Sequence, residues 1–195
     1  MKVTVTFKAQ DRLLEAGLFI PERNQDEEPL AAILIEGAMT GAGPKFAEQV
    51  GRKLCDEGYV CLVLDHAFYR DDNRSPHSWE SPSKRVADIL AALSFLKDNN
   101  VVNPERVVAL GVSAGAEYLA QALEHSDLCK GFVVIDEDRD NEIDFAARLD
   151  IPSVRIADYS YELAAEDAAN WIGTLLQHPV PLSHRDFAAW NTFSE

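Results

Sequence analysis

The most constraining stretch of this chain is residues 107–115, Val-Val-Ala-Leu-Gly-Val-Ser-Ala-Gly. An apolar run stops at Gly111-Val112-Ser113-Ala114-Gly115, a G-x-S-x-G pentapeptide, and Ala116 to Leu123 then supplies good helix formers. Strand, sharp turn and helix are the context in which this motif becomes a nucleophile elbow, with the serine Oγ held above the edge of a sheet. Glycines on either side carry no Cβ, so strand and helix can approach closely. The helix that begins at the serine points its first amides toward a developing oxyanion. The plainer reading is a strand-to-helix turn with an idle serine.

The rest of the pattern fits a sheet around that elbow. Lys2 to Lys8 and Arg12 to Ile20 alternate polar and apolar residues, which predicts an antiparallel hairpin. Continuous apolar runs follow at Ala31–Ile35, Tyr59–Leu64 and Gly131–Ile135, with a weaker one at Pro152–Ile156. Helical spacing covers Lys45–Glu57 before a capping Gly58, Lys84–Asp98 through Val86, Ile89, Leu90, Leu93 and Leu96, and Leu163–Gln177. Asp65–Ser83 reads as a long polar loop, Asn99–Arg106 as a turn and Asp136–Asp144 as an acidic loop. Strands without alternation, separated by helices, predict a mostly parallel sheet with helices on both faces, and ligands at the carboxyl ends of its strands. No repeat or linker interrupts the pattern, so a single α/β domain over residues 1–195 is expected.

Composition narrows the function. With 47% hydrophobic residues the chain has material for a core. A net charge of −15 and a pI near 4.6 disfavour nucleic acid and anionic membrane surfaces as partners. No apolar run approaches the roughly 18 residues of a membrane span, and the N-terminus lacks a signal-peptide core. A cytoplasmic location is the simplest expectation. The three cysteines, Cys55, Cys61 and Cys129, have no metal-like spacing, and Cys55 and Cys61 read as buried thiols. The acidic loop lacks the glycine and terminal glutamate of a calcium loop, so neither a metal nor another cofactor is expected.

A serine hydroxyl needs a general base oriented by a carboxylate. After the elbow helix only His178 and His184 remain. His178 ends a helix before Pro179, whereas His184 opens the last loop and is the better base. Asp158 follows the Val154–Ile156 strand, with room for one helix before His184, and is the expected acid; Asp136 and Asp138 are the alternatives. The oxyanion donors would be the amide of Ala114 with one from Gly37, Ala38 or Met39, in the loop after Ile35. Trp79, Phe68, Tyr69 and Met39 are candidates for an apolar pocket.

From residue 5 to about 190 the chain resembles the α/β-hydrolase superfamily, and within it the dienelactone hydrolase-like serine hydrolases. The resemblance rests on the elbow, on Ser83–Ile89 and Asn103–Val107, and on Ser183-His184-Arg185-Asp186-Phe187, which is similar to the segment bearing the family's catalytic histidine. It implies Ser113 as nucleophile, His184 as base and Asp158 as acid. Three departures stand out. Family members commonly carry His-Gly or His-Pro where this chain has Glu36-Gly37, so a carboxylate stands beside the expected oxyanion site and opposes negative charge unless it is paired or points away. No lid is inserted between Ile135 and Asp158. The chain between His184 and Glu195 is too short for a full C-terminal helix, so Phe187, Trp190 and Phe193, or a partner chain such as a second copy in a homodimer, would cover that face.

The expected function is hydrolysis of a small-molecule carboxylic ester or thioester through an acyl-enzyme on Ser113. The rivals are a non-catalytic protein of the same fold that binds a ligand or partner, and an acyl transferase.

Overall fold

The computed structural model describes residues 1–10, 12–22, 28–37, 43–65, 82–136, 148–157 and 160–177. Alternation in the first twenty residues produces β1 (Lys2–Ala9) and β2 (Arg12–Phe19), antiparallel from Lys2 opposite Phe19 to Ala9 opposite Arg12. Gln10 enters their turn at φ 54°. There follow β3 (Leu30–Glu36), α1 (Gly43–Asp56), β4 (Val60–Asp65), α2 (Pro82–Lys97), β5 (Val102–Val112), α3 (Ala114–Leu123), β6 (Cys129–Ile135), β7 (Ser153–Ile156) and α4 (Tyr161–Gln177). Gly58 ends the α1 segment at φ 95°, the left-handed position that glycine adopts without strain.

The seven strands form one sheet in the order β1-β2-β4-β3-β5-β6-β7. β4, β3, β5, β6 and β7 pair in parallel, and the hairpin joins antiparallel through β2 and β4. Parallel strands are covered on both faces, and here alternation divides each one between two cores. Ala32 and Leu34 of β3, Val107 and Ala109 of β5, and Phe132 and Val134 of β6 pack against α2 and α3. Ile33 and Ile35, Val108 and Leu110, and Val133 and Ile135 pack against α1 and α4. The expected mostly parallel sheet with an N-terminal hairpin is what the chain forms.

Two differences from the sequence expectation are informative. Residues 102–106 belong to β5 rather than to a turn, because the β3–β5 register shifts between Leu30 and Ala32 and the strand bulges around Pro104. Asn103 stabilises the bulge by accepting the Glu105 N–H on its side-chain oxygen at 3.0 Å. In α2 the expected stripe packs on the core, with Ile89, Leu93 and Leu96 buried and Val86 and Leu90 partly so, but the buried side also takes in Arg85, Asp88 and Ala92.

Cys55, Cys61 and Cys129 are free and buried. Desolvation raises all three thiol pKa values, that of Cys129 to about 12. Raised values keep the thiols protonated at pH 8, and only thiolates react quickly. The native protein should therefore give almost no reaction with a thiol-disulfide reagent at pH 8, and the denatured protein three equivalents. Fast labelling of the native chain would contradict this packing.

Candidate active site

The connection from β3 crosses to β4 on one side, and that from β5 to β6 on the other, although β3 and β5 are hydrogen-bonded neighbours. Such a switch leaves a crevice beyond the carboxyl ends of the two strands, where ligands bind in open α/β sheets. Glu36 and Gly37 lie at the end of β3, and Ser113 lies at the end of β5.

Ser113 has φ 51° and ψ −129°. A side chain held at positive φ stores about 1–3 kcal/mol and persists only where its surroundings impose it. Here its N–H donates to the Ile135 carbonyl at 2.8 Å, and its own carbonyl accepts the Ala116 N–H at 2.9 Å. The residue is exposed, and its side chain does not cap α3. The hydroxyl is thus not used as a helix cap.

The flanking glycines are required by close backbone approach. A Cβ on Gly111 would overlap the Ala116 backbone, and one on Gly115 would overlap the carbonyl of Glu36. The second contact presses the first turn of α3 against the Glu36–Gly37 backbone. It brings the segment with Gly37 beside the amide end of the helix that starts at Ala114. Gly111→Ala should destabilise the fold by about 3 kcal/mol, lowering the midpoint of thermal unfolding by roughly 6–12 °C. A calorimetric midpoint equal to wild type would contradict the closeness of β5 to α3.

Glu36 continues the Ala32–Leu34 side of β3 and is fully buried, 0% exposed. Its carboxylate accepts from Arg85 Nε at 2.6 Å. The same guanidinium donates from Nη2 to the Gly37 carbonyl at 2.7 Å and lies 4.2 Å over the Tyr118 ring of α3. The carboxylate of Glu36 is therefore paired. Sequence reasoning missed Arg85 and Tyr118 as parts of this site. The available signal was spacing: Arg85 precedes Ile89 by four residues and Leu93 by eight, which puts a charge on the inward stripe of α2.

Of the residues singled out from the sequence, Ser113, Ala114 and Gly37 meet at the switch point. Asp136 follows β6, is buried at 9% exposure, and donates its N–H to the Ile156 carbonyl at 3.1 Å. It adjoins Ile135, the acceptor of the Ser113 amide. Asp158, His184 and Ala38 lie outside the described residues, as do Met39, Phe68, Tyr69, Trp79, Asp138, His178, Phe187, Trp190 and Phe193. No helix among the described residues is long and apolar enough to cross a membrane.

No protein-family model matches the chain. The uncharacterized protein YcjY of Escherichia coli is 28% identical over 109 residues, which are 56% of this chain and 36% of that protein. Matches to curated relatives span between 26% and 37% of the relatives' own lengths. Among solved structures, a dienelactone hydrolase from Anabaena variabilis superposes with a TM-score of 0.66 at 15% identity, over 89% of this chain and 97% of that one. A serine hydrolase without lid from Xanthomonas campestris gives 0.61 at 15% identity, over 93% and 96%. At such identities the likeness is one of fold.

Proposed function

We propose that this chain, which has the α/β-hydrolase fold of the dienelactone hydrolase-like kind, is a serine hydrolase that cleaves a carboxylic ester or thioester of a small molecule. The observation that carries the reading is Ser113, exposed at positive φ on a strand-to-helix turn at the switch point of the sheet. A backbone held in that state without a capping role needs another reason to persist, and presentation of a nucleophile is one.

In this reading the Ser113 Oγ attacks the substrate carbonyl carbon while His184 takes its proton. The tetrahedral oxyanion is held by the amide of Ala114 and one from Gly37 or Ala38. Collapse expels the alcohol or thiol, which receives the proton from His184, and leaves an acyl-Ser113 ester. Water, deprotonated by His184, attacks that ester, and the acid and free Ser113 are released. Asp158 fixes the imidazole tautomer, with Asp136 as the alternative acid.

Two features favour a non-catalytic binding protein, the short C-terminal cover and an uncompensated carboxylate at Glu36. The pairing of Glu36 with Arg85 removes the second, because a neutral pair adds no net negative charge beside the oxyanion. An acyl transferase would share every step up to the acyl-enzyme and differ only in the acceptor. The direct test is saturable turnover of p-nitrophenyl acetate and butyrate by the wild-type chain, which the reading expects. Absence of turnover on these esters, and on short acyl thioesters, would overturn it.

A further inference from the structure

Arg85 makes more contacts than neutralising Glu36 requires. One guanidinium bonds the Glu36 carboxylate, bonds the carbonyl of Gly37 and stacks on Tyr118. These partners belong to different pieces of the site. Glu36 and Gly37 stand at the end of β3, where the hydrolase reading puts one oxyanion donor. Tyr118 stands one helical turn beyond Ala114, which offers the other.

We propose that Arg85 is a positioning residue for the oxyanion site, holding the chain at the end of β3 by the Gly37 carbonyl and locking that end to the elbow helix through Tyr118. The inference rests on the hydrolase reading above and adds to it a residue that never touches substrate. The guanidinium that holds the Gly37 carbonyl also lies on Tyr118 of α3, so the Glu36–Gly37 backbone and the first turn of α3, already in close contact at Gly115, keep one relative placement. The rigid fork of arginine suits this task, since it can hold two acceptors in one plane while its face lies on an aromatic ring. Fold stability alone does not account for the arrangement, because a buried ion pair is on average no more stabilising than apolar packing of the same volume. What it adds is a fixed geometry, and an oxyanion donor works only when it is already aimed.

The test needs variants that do not strand a buried charge. Glu36→Gln with Arg85→Met removes both charges together, and Arg85→Lys keeps the positive charge but not the planar fork. The double variant should keep a thermal midpoint near that of wild type. Its kcat for p-nitrophenyl butyrate should fall roughly 10–100-fold with KM nearly unchanged, because oxyanion stabilisation acts in the transition state. Its affinity for a trifluoromethyl ketone, which forms an oxyanion when Ser113 adds to it, should fall in parallel with kcat/KM. Arg85→Lys should lose kcat in the same direction but by less, and it decides the matter if the double variant does not fold. A folded variant with wild-type kcat, or a loss confined to KM, would overturn the positioning role while leaving the hydrolase reading intact. An inert wild-type enzyme whose Ser113 takes no fluorophosphonate would instead sink the hydrolase reading, and this role with it.

Discussion

Ser113→Ala should lower ester hydrolysis by about 10⁴-fold or more, with little change in stability. The size follows from what the hydroxyl does in the proposed cycle: without Oγ there is no acyl-enzyme, and only binding and the oxyanion donors remain to assist water. Stability should hold because the Ser113 hydroxyl caps no helix, and alanine inherits the backbone bonds to Ile135 and Ala116. Ser113→Gly makes a companion measurement. It should be as inactive as the alanine variant but more stable than wild type by about 1 kcal/mol, since glycine adopts the φ of 51° without strain. For a chain of this length that is roughly 2–4 °C in the thermal midpoint. An alanine variant that still turns over at near wild-type rates would mean that the elbow is architecture only.

Arg85→Met on its own should destabilise the fold by about 3–5 kcal/mol. The reason is the partner left behind. Glu36 is 0% exposed, and Arg85→Met takes the guanidinium away from a buried carboxylate. Adding Glu36→Gln should restore most of the loss, because an amide buries without charge and methionine fills the space of the arginine stem. Urea unfolding of the two singles and the double closes this cycle. A loss below about 1 kcal/mol for Arg85→Met would show that the Glu36 carboxylate is solvated or otherwise compensated. The contrast between the two designs matters. The single variant reports the burial of charge, whereas the neutral double variant isolates the effect on catalysis.

The elbow was legible in the sequence because its physics is local. Five residues, an apolar run before them and helix formers after them specify a strand-to-helix turn, and the structure shows both glycines in contacts that admit no Cβ. The hairpin and the parallel strands were legible for the same reason, through period-two alternation and through its absence. The pairing of Glu36 was not. Its partner lies 49 residues away on α2, and nothing in the neighbourhood of either residue specifies the other. Arg85 beside Lys84 reads as the solvated start of a helix, until its spacing from Ile89 and Leu93 is weighed against its charge. The β5 bulge was missed because Pro104 and polar neighbours look like a turn, whereas a register shift against β3 lets the strand pass through them. Ser113, Ala114 and Gly37 come together at the switch point, and their roles, like the triad with His184 and Asp158, are part of the proposal.

The most direct test of the account is to treat the wild-type chain with a fluorophosphonate and map the adduct by peptide mass spectrometry. A hydrolase with an activated Ser113 should take up one phosphonyl group per chain, on the peptide containing residues 111–115, and lose labelling in Ser113→Ala. An unlabelled Ser113 in the folded protein, or an adduct carried only by another residue, would contradict it.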